Sequence, residues 1–416
     1  MQHLLHDDPE LARLVAREEQ RLQQTINLIA AENHSPPSIL EITGSVFNTK
    51  TIEGYPGNRF HAGCENVDQV ETLAIERGKK LFGAEYVNVQ PHSGTSANLA
   101  VYFSVLKVGD PILSMSLPHG GHLSHGHPAS MTSKCFNFSH YEVDPVTGLI
   151  DYDRVRDMAR EIKPKMLVAG ASSYPRLIDY EKMAAIAHEV SALFLVDMAH
   201  LAGLVAAGVI PGPVPHCDFT TFTCYKTLMG GRGGVILARE EFGKKLDKAV
   251  FPGCQGTSAA NLLAAKALIF KLAMEDDFIS VQKKTLANAV TMAEEFTDRG
   301  YTVVTGGTDN HQVILDLSSK NISGKIAEER LEAVGLVLNR NVVPADAGRP
   351  GKVSGIRLGT GAIAARGMGR DETRQLVALM DRIMIDPENT ETADKVSREV
   401  KQLCRRFPIN GDTAGG

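Results

Sequence analysis

One lysine constrains this chain more than any other residue, because of what surrounds it. Lys226 follows Thr-Thr-Phe-Thr-Cys-Tyr (220–225), a β-branched, hydroxyl-rich run that predicts the end of a buried strand. The glycine-rich stretch behind it (229–234) predicts a tight turn where backbone can approach a bound group. A lysine desolvated there can lose its proton and form a Schiff base with an aldehyde. A lone lysine usually extends its charged end to water, so a second residue is needed to favour the Schiff-base interpretation.

That second residue is Asp197. It ends Ala-Leu-Phe-Leu-Val-Asp (192–197), an apolar run typical of a buried strand, and therefore lies at the carboxyl edge of an α/β sheet, where ligands bind. A single aspartate after a strand is often only a helix N-cap. Pyridoxal phosphate, however, needs a lysine for its aldehyde and an acid for its ring nitrogen. Asp197 and Lys226 together favour a pyridoxal-phosphate site.

The rest of the chain predicts an α/β fold in three parts. Residues 1–40 form an N-terminal helical arm, with a charged helix from Pro9 to about Ala31 that packs on a partner subunit. Residues 41–280 form a large domain in which short apolar runs alternate with helical patterns, as in βαβ units with a mostly parallel sheet. Residues 281–416 form a smaller α+β domain. The expected strands are 86–89, 111–113, 165–168, 193–196, 234–237, 302–305 and 312–317, and the expected C-terminal helices are 277–299, 326–333 and 371–385.

Composition excludes several classes of function. A net charge of −5 provides no basic field for nucleic acid. The chain shows no signal-peptide pattern and no apolar run of membrane-spanning length. Its six cysteines have neither CxxC nor metal-ligand spacing, so we expect reduced thiols in a cytoplasmic enzyme. No metal is expected at His119, His122 and His125, since no cysteine or acidic ligand set stands near them in the sequence.

Motifs in order along the chain closely resemble the serine hydroxymethyltransferase family. They include Leu-Ile-Ala-Ala-Glu-Asn (28–33), Glu-Gly-Tyr-Pro-Gly-Asn-Arg (53–59), Asn-Val-Gln-Pro-His-Ser-Gly (88–94), His-Gly-Gly-His-Leu-Ser-His-Gly (119–126), Val-Asp-Met-Ala-His (196–200), the Lys226 block, Gly-Gly-Thr-Asp-Asn-His (306–311) and Ser-Gly-Ile-Arg-Leu-Gly-Thr (354–360). The resemblance runs from about Leu28 to Pro408. It implies fold type I of the pyridoxal-phosphate transferases, with a seven-stranded, mostly parallel sheet. It also implies tetrahydrofolate as co-substrate.

The resemblance also implies roles for individual residues. Arg357 would bind the substrate carboxylate, for which a guanidinium fork is suited, and Glu53 would act as acid/base. Leu123 and Asn341 would contact folate, and Gly256 would reach the cofactor phosphate of a neighbouring subunit, which implies a homodimer or homotetramer. Arg232 matches an arginine near the lysine and the phosphate. The cofactor-binding set is Ser93, Gly94, Thr95, His122, Ser172, Asp197, His200, Thr223, Lys226 and Gly256, of which Lys226, Asp197, His200 and Thr223 join Glu53 as expected catalytic residues.

The phosphate position has support from the residues themselves. Ser93-Gly94-Thr95 follows a predicted strand and precedes a predicted helix, so backbone N–H groups and hydroxyls meet where a phosphate binds. A plain serine or threonine N-cap would leave the same pattern.

Departures from the family pattern bear on the substrate. Thr51 and His61 replace tyrosines, Phe60 replaces another, Ala31 replaces a serine and Tyr225 replaces a histidine. A threonine in place of a phenol leaves room beside the substrate Cα, and His61 can take over the lost polar contacts. The pattern resembles the α-methylserine branch, which would convert α-methylserine and tetrahydrofolate to D-alanine and methylenetetrahydrofolate. The alternatives are serine/glycine interconversion, a folate-independent aldolase for β-hydroxy amino acids, and a catalytically silent scaffold subunit.

Overall fold

The computed structural model describes residues 2–346, 349 and 351–409. Its helices are α1 (Gln2–Asp7), α2 (Pro9–Gln24), α3 (Pro37–Thr43), α4 (Glu65–Phe82), α5 (Gly94–Val105), α6 (Met131–Cys135), α7 (Tyr152–Ile162), α8 (Tyr180–Glu189), α9 (Ala202–Ala206), α10 (Gly243–Lys248), α11 (Ala260–Leu272), α12 (Asp276–Asp298), α13 (Gly324–Ala333), α14 (Gly361–Ala365), α15 (Arg370–Ile385) and α16 (Thr390–Arg406). The end of the predicted small domain, 410–416, lies outside the described residues.

The strands are β1 (Ile26–Asn27), β2 (Gly54–Tyr55), β3 (Asn58–Arg59), β4 (Tyr86–Asn88), β5 (Pro111–Met115), β6 (Asn137–Tyr141), β7 (Met166–Ala169), β8 (Leu193–Asp197), β9 (Phe219–Thr223), β10 (Gly234–Ala238), β11 (Thr302–Val303), β12 (Gln312–Asp316), β13 (Leu336–Val337), β14 (Asn339–Asn341) and β15 (Gly355–Gly359). Within the described ranges, seven of them form one sheet in the order β4-β10-β9-β8-β7-β5-β6. Strands β9, β8, β7, β5 and β6 pair in parallel, whereas β10 pairs antiparallel with both neighbours. The predicted α/β fold with a mostly parallel sheet is confirmed.

Apolar composition explains why this sheet is central. All residues of β7 and β9 are buried, as expected for strands covered by helices on both faces. Helices α4 and α11 pack together on one side of the sheet, and α5 lies against β9 and β10. The sheet therefore gives a rigid support whose carboxyl edge carries Asp197 and the segment leading to Lys226.

A second, antiparallel sheet of order β11-β12-β15-β14 lies in the C-terminal region. Its core is a separate hydrophobic cluster that includes Met292, Leu315 and Leu376. Ile26 and Leu28 belong to that cluster, so the N-terminal segment packs with the C-terminal region. The division at residues 40 and 280 remains our proposal.

The predicted N-terminal helix is too long. It ends at Gln24 because Thr25 adopts an extended conformation, and β1 then pairs in parallel with β13 through Ile26 and Leu336. β-Branched Thr25 and Ile26 favour that extended course. Among the described residues, no helix is both long enough and apolar enough to cross a membrane.

Candidate active site

A narrow cavity opens at the carboxyl edge of the central sheet, between β8, β9 and the first turn of α5. Nine of the ten residues predicted to hold the cofactor line it. The lining residues are Ser93, Gly94, Thr95, His122, His125, Ala171, Ser172, Asp197, Ala199, His200, Thr223, Tyr225 and Lys226. Residues from five separate chain segments therefore converge as the parallel strand order requires.

Asp197 lies at the bottom of this cavity as a buried carboxylate. Its Oδ2 accepts hydrogen bonds from Asn98 Nδ2 (2.8 Å) and pairs with His125 Nε2 (3.1 Å), and its Oδ1 accepts from Ala199 N (3.0 Å). Burial alone would raise the pKa of Asp197, but the hydrogen bond and charge of His125, with help from His122 and Asn98, hold it well below its usual range. The carboxylate is ionised and suited to face a protonated ring nitrogen.

Lys226 lies three residues beyond the end of β9 and is buried. Burial lowers the pKa of its ammonium to about 8; Asp197 opposes that shift, and Arg357 and Arg232 add to it. A lysine with this pKa is partly neutral near pH 7, as addition to an aldehyde requires.

Two buried polar atoms in the cavity have no hydrogen-bond partner among the described residues. They are Thr223 Oγ1 and His200 Nδ1. Unpaired buried polar atoms are costly, so a ligand with its own polar atoms is expected to satisfy them. A hydroxypyridine aldehyde offers such atoms beside Lys226 and Asp197. The residues present therefore fit pyridoxal phosphate.

The N-terminus of α5 forms one end of the cavity. Ser93 caps the helix: its Oγ accepts from Ser96 N (3.1 Å), and Ser96 Oγ accepts from Ser93 N (2.8 Å). A Cβ at Gly94 would lie 2.9 Å from Thr223 Cγ2, so only glycine lets the helix start this close to β9. Both the N-cap and the phosphate interpretations of Ser93-Gly94-Thr95 are thus compatible with the structure.

His122 presents a neutral, flat ring to the cavity. Burial lowers its pKa to about 4, against the opposing charge of Asp197, and its Nδ1 pairs with Ser124 Oγ at 2.7 Å. The donor atoms of His122, His125 and Asp197 all lie within 4.8 Å of one another. The premise that no acidic ligand stands near these histidines is therefore wrong, because folding brings Asp197 to them. The absence of a metal stays a prediction.

Arg357 approaches the cavity from β15. Its Nη1 donates to Ser172 O and its Nε to Asn339 Oδ1 (3.2 Å). Burial lowers its pKa to about 10, so the side chain stays charged at neutral pH. Within the described residues these contacts occupy two of its five N–H donors, and the remaining ones are available for a carboxylate.

Several predicted site residues are absent from the described cavity lining. Glu53 instead lies beside the 256 loop, where a Cβ on Gly256 would sit 3.8 Å from Glu53 Oε1. Thr51 and His61 are exposed, and their backbone oxygens both lie near Cys64 Sγ. These four residues thus cluster with one another in a single chain, and none of them is in the described lining of the cavity around Lys226.

Leu123 and Asn341, the predicted folate contacts, have different surroundings. Leu123 is exposed next to His122, and Asn341 Oδ1 accepts from Ser173 Oγ at 3.0 Å. Ala31 is partly buried, next to the Ala30 carbonyl that pairs with His311 Nε2 at 3.1 Å.

Arg232 packs on a residue that departs from the family pattern. Its guanidinium lies 4.1 Å from the centre of the Tyr225 ring, a cation–π contact at the cavity wall. Tyr225 therefore adds a flat, polar-tipped surface beside Lys226.

The roles of four residues that support the site were missed from the sequence. Asn98 and His125 hold Asp197, and Thr221 Oγ1 in turn donates to Asn98 Oδ1. The His311 ring stacks on His200 with 5.6 Å between centres. His125 follows His122 by three residues, but nothing in the spacing indicates which carboxylate it meets.

Two buried histidines and one partly buried histidine make the unfolding free energy depend on pH. Burial lowers the pKa of His34 to about 4 and of His311 to about 3, and that of His200 well below its usual value. Unfolding releases each to a pKa near 6.5, so below that pH only the unfolded chain takes up the protons. Each should therefore reduce the unfolding free energy by about 1.4 kcal/mol per pH unit as pH falls from 6.5.

Urea unfolding of the cofactor-free protein between pH 7.5 and 5.5 measures this dependence. We expect His311→Asn to reduce the slope of the unfolding free energy against pH by about 1.4 kcal/mol per pH unit, because it removes one titrating group. His188→Asn, at an exposed helical position, should leave that slope unchanged. Equal slopes for the parent protein and both variants would contradict the contribution given to His311.

A sheet edge that joins a buried, partly neutral lysine to a buried, ionised aspartate defines a pyridoxal-phosphate-dependent enzyme. The comparisons with known proteins agree. The family model described as "Serine hydroxymethyltransferase" matches residues 4–380. A curated relative of that description from Coprothermobacter proteolyticus is 51% identical over 410 residues, 98% of each chain. The chain belongs to the serine hydroxymethyltransferase family, whose members are pyridoxal-phosphate-dependent hydroxymethyltransferases with tetrahydrofolate as co-substrate.

Proposed function

We propose that this enzyme transfers the hydroxymethyl group of serine to tetrahydrofolate, reversibly, giving glycine and 5,10-methylenetetrahydrofolate. The observation that carries the proposal is the convergence of Lys226 and Asp197 on one cavity, with Arg357 bonded to the backbone carbonyl of Ser172, which lines that cavity. The 51% identity to a relative described as a serine hydroxymethyltransferase supports serine as the amino acid. This differs from the substrate that the substitutions at 51 and 61 favour when the sequence is read alone.

Each side chain has a role in this reaction. When bound, pyridoxal phosphate supplies the electron sink for cleavage of the Cα–Cβ bond. Arg357 would bind the carboxylate and so orient the amino acid in the cavity. Asp197 would keep the ring nitrogen protonated, and Lys226 would hold the cofactor through its aldehyde.

Proton transfer at the hydroxymethyl oxygen falls to Glu53. Because Glu53 and Gly256 lie together but are not in the described lining of their own chain's cavity, we propose that they serve the cavity of a second copy. A homodimer, or a tetramer built from such dimers, is then the active form. Leu123 and Asn341 contact the tetrahydrofolate bound in this shared site. A cytoplasmic location is part of the proposal, since all six cysteines are free thiols.

α-Methylserine is the second candidate substrate. The specific observation is that Thr51 and His61, which replace tyrosines of the family pattern, are exposed on the same surface as Glu53. If that surface covers a neighbour's cavity, a small residue at 51 leaves space for a methyl group on Cα.

Assays of the two substrates with tetrahydrofolate decide between these candidates. We expect serine to be turned over, with glycine as product, and we expect Thr51→Tyr to suppress any α-methylserine turnover about tenfold or more by filling that space. Val46→Tyr, at an exposed position of the same region, is the control. Efficient D-alanine release from α-methylserine, with serine untouched, would overturn the serine assignment.

A further inference from the structure

Lys266 is a buried lysine that the proposed reaction does not use. It lies in the middle of α11, and only 1% of its surface is exposed. Its Nζ donates to the backbone carbonyls of Val89, Pro91 (3.2 Å) and Gly234 (2.9 Å). Three acceptors match the three donors of a charged ammonium, whereas a neutral amine has only two.

No carboxylate of the described residues lies within salt-bridge distance of this ammonium. The charge of Glu71 acts on Lys266, but Glu71 is already paired with Arg59 and Gln90. Burial lowers the pKa of Lys266 to about 8, with Cys224 and Glu71 opposing. Such an uncompensated charge in the interior is costly unless another anion interacts with it.

The three carbonyls belong to the two loops that shape the end of the cavity at the N-terminus of α5. Val89 and Pro91 lead directly into Ser93 and the N-terminus of α5, and Gly234 begins β10 just after the glycine turn. The loops touch: Gly234 N donates to Pro91 O (2.9 Å), and a Cβ at Gly234 would collide with Ser93 O. Lys266 therefore joins the two loops from behind.

We propose that Lys266 is a positioning residue for the cofactor phosphate: it holds the Pro91–Gly94 loop in its anion-binding form and supplies the buried positive charge that complements the phosphate dianion. A cation behind the loop attracts the dianion through a poorly shielding interior, in addition to the N–H groups and dipole of α5. The inference rests on the proposed placement of the phosphate at Ser93-Gly94-Thr95.

The test compares the affinities of cofactor-free protein for pyridoxal phosphate and for pyridoxal, which lacks the phosphate. Lys266→Met keeps the length of the side chain but not its charge. We expect it to weaken pyridoxal phosphate binding about tenfold or more, with pyridoxal affinity unchanged. Lys271→Met, on the same helix but exposed and near Glu275, should change neither. An equal loss for both ligands would show a merely structural role and overturn the proposal.

Two further variants keep the outcomes distinct. Lys266→Gln retains a donor for the carbonyls and replaces the methionine variant if that one does not fold. Ser93→Ala tests the phosphate position itself, because it should also weaken only pyridoxal phosphate. If Ser93→Ala changes the ratio of pyridoxal phosphate affinity to pyridoxal affinity and neither Lys266 variant does, only the role given to Lys266 is contradicted. If Ser93→Ala has no effect, the phosphate placement fails.

Discussion

Asp197→Asn should lower kcat about 1000-fold, equivalent to about 4 kcal/mol of lost transition-state stabilisation, while the protein stays folded. The amide has nearly the same size but cannot carry the negative charge that keeps the ring nitrogen protonated. His125 and Asn98, which now donate to Asp197 Oδ2, would face an uncharged group. Steady-state kinetics with serine and tetrahydrofolate, together with the bound cofactor content, measure the effect.

Asp218→Asn is the matched control for this variant. Asp218 is also a buried aspartate of the central sheet, but it lies just before β9, at the opposite edge from the cavity, where it accepts from Phe194 N (2.8 Å) and faces Arg239. Its replacement should lower stability and leave kcat within about twofold, because it is remote from the reacting atoms. A kcat for Asp197→Asn within tenfold of the parent would contradict the role given to Asp197.

The central sheet and the core of the site were predictable because they depend on local patterns. Apolar runs mark β7, β8 and β10, and the ends of parallel strands meet at one edge. That rule alone placed Asp197 and Lys226 together. The structure confirms the fold class. It lengthens three of the seven predicted strands by one or two residues, shortens three others and shifts one by a single residue.

Other features depend on contacts between distant parts of the chain and leave little local signal. The two-residue strand β1 exists because Ile26 and Asn27 pair with Leu336 and Val337. Asn98 looks like any polar residue of a helix until folding brings it to Asp197. Lys266 interrupts the apolar middle of a helix, and the three converging carbonyls explain its burial.

The cluster of Glu53, Thr51, His61 and Gly256 shows a further limit. Their motifs indicate a role in the reaction, yet within one chain none of them is in the described lining of the cavity around Lys226. A sequence pattern can identify residues of an active site without indicating which copy of the chain they serve. The substrate assignment depends on these residues, and it is therefore less determined by the sequence than the cofactor site.

Arg357→Ala should lower kcat/KM for serine about 1000-fold, mainly by raising KM for the amino acid. A partly buried guanidinium that binds a carboxylate contributes charge and two parallel hydrogen bonds, and a methyl group replaces neither. The kcat/KM of Arg357→Lys should lie between the values of the parent enzyme and Arg357→Ala. Lysine keeps the charge but loses the planar fork and the contacts with Ser172 O and Asn339 Oδ1. KM for tetrahydrofolate should change little in either variant.

Arg340→Ala separates this effect from a general loss of charge in the C-terminal sheet. Arg340 is the neighbour of Asn339 on β14, but its side chain is exposed and pairs with Glu328, so we expect kinetics within about twofold of the parent enzyme. If Arg357→Ala raised KM for tetrahydrofolate and serine alike, Arg357 would be supporting the site as a whole. An increase confined to the amino acid would identify it as the carboxylate-binding residue, because only that substrate presents the carboxylate next to the bond that breaks.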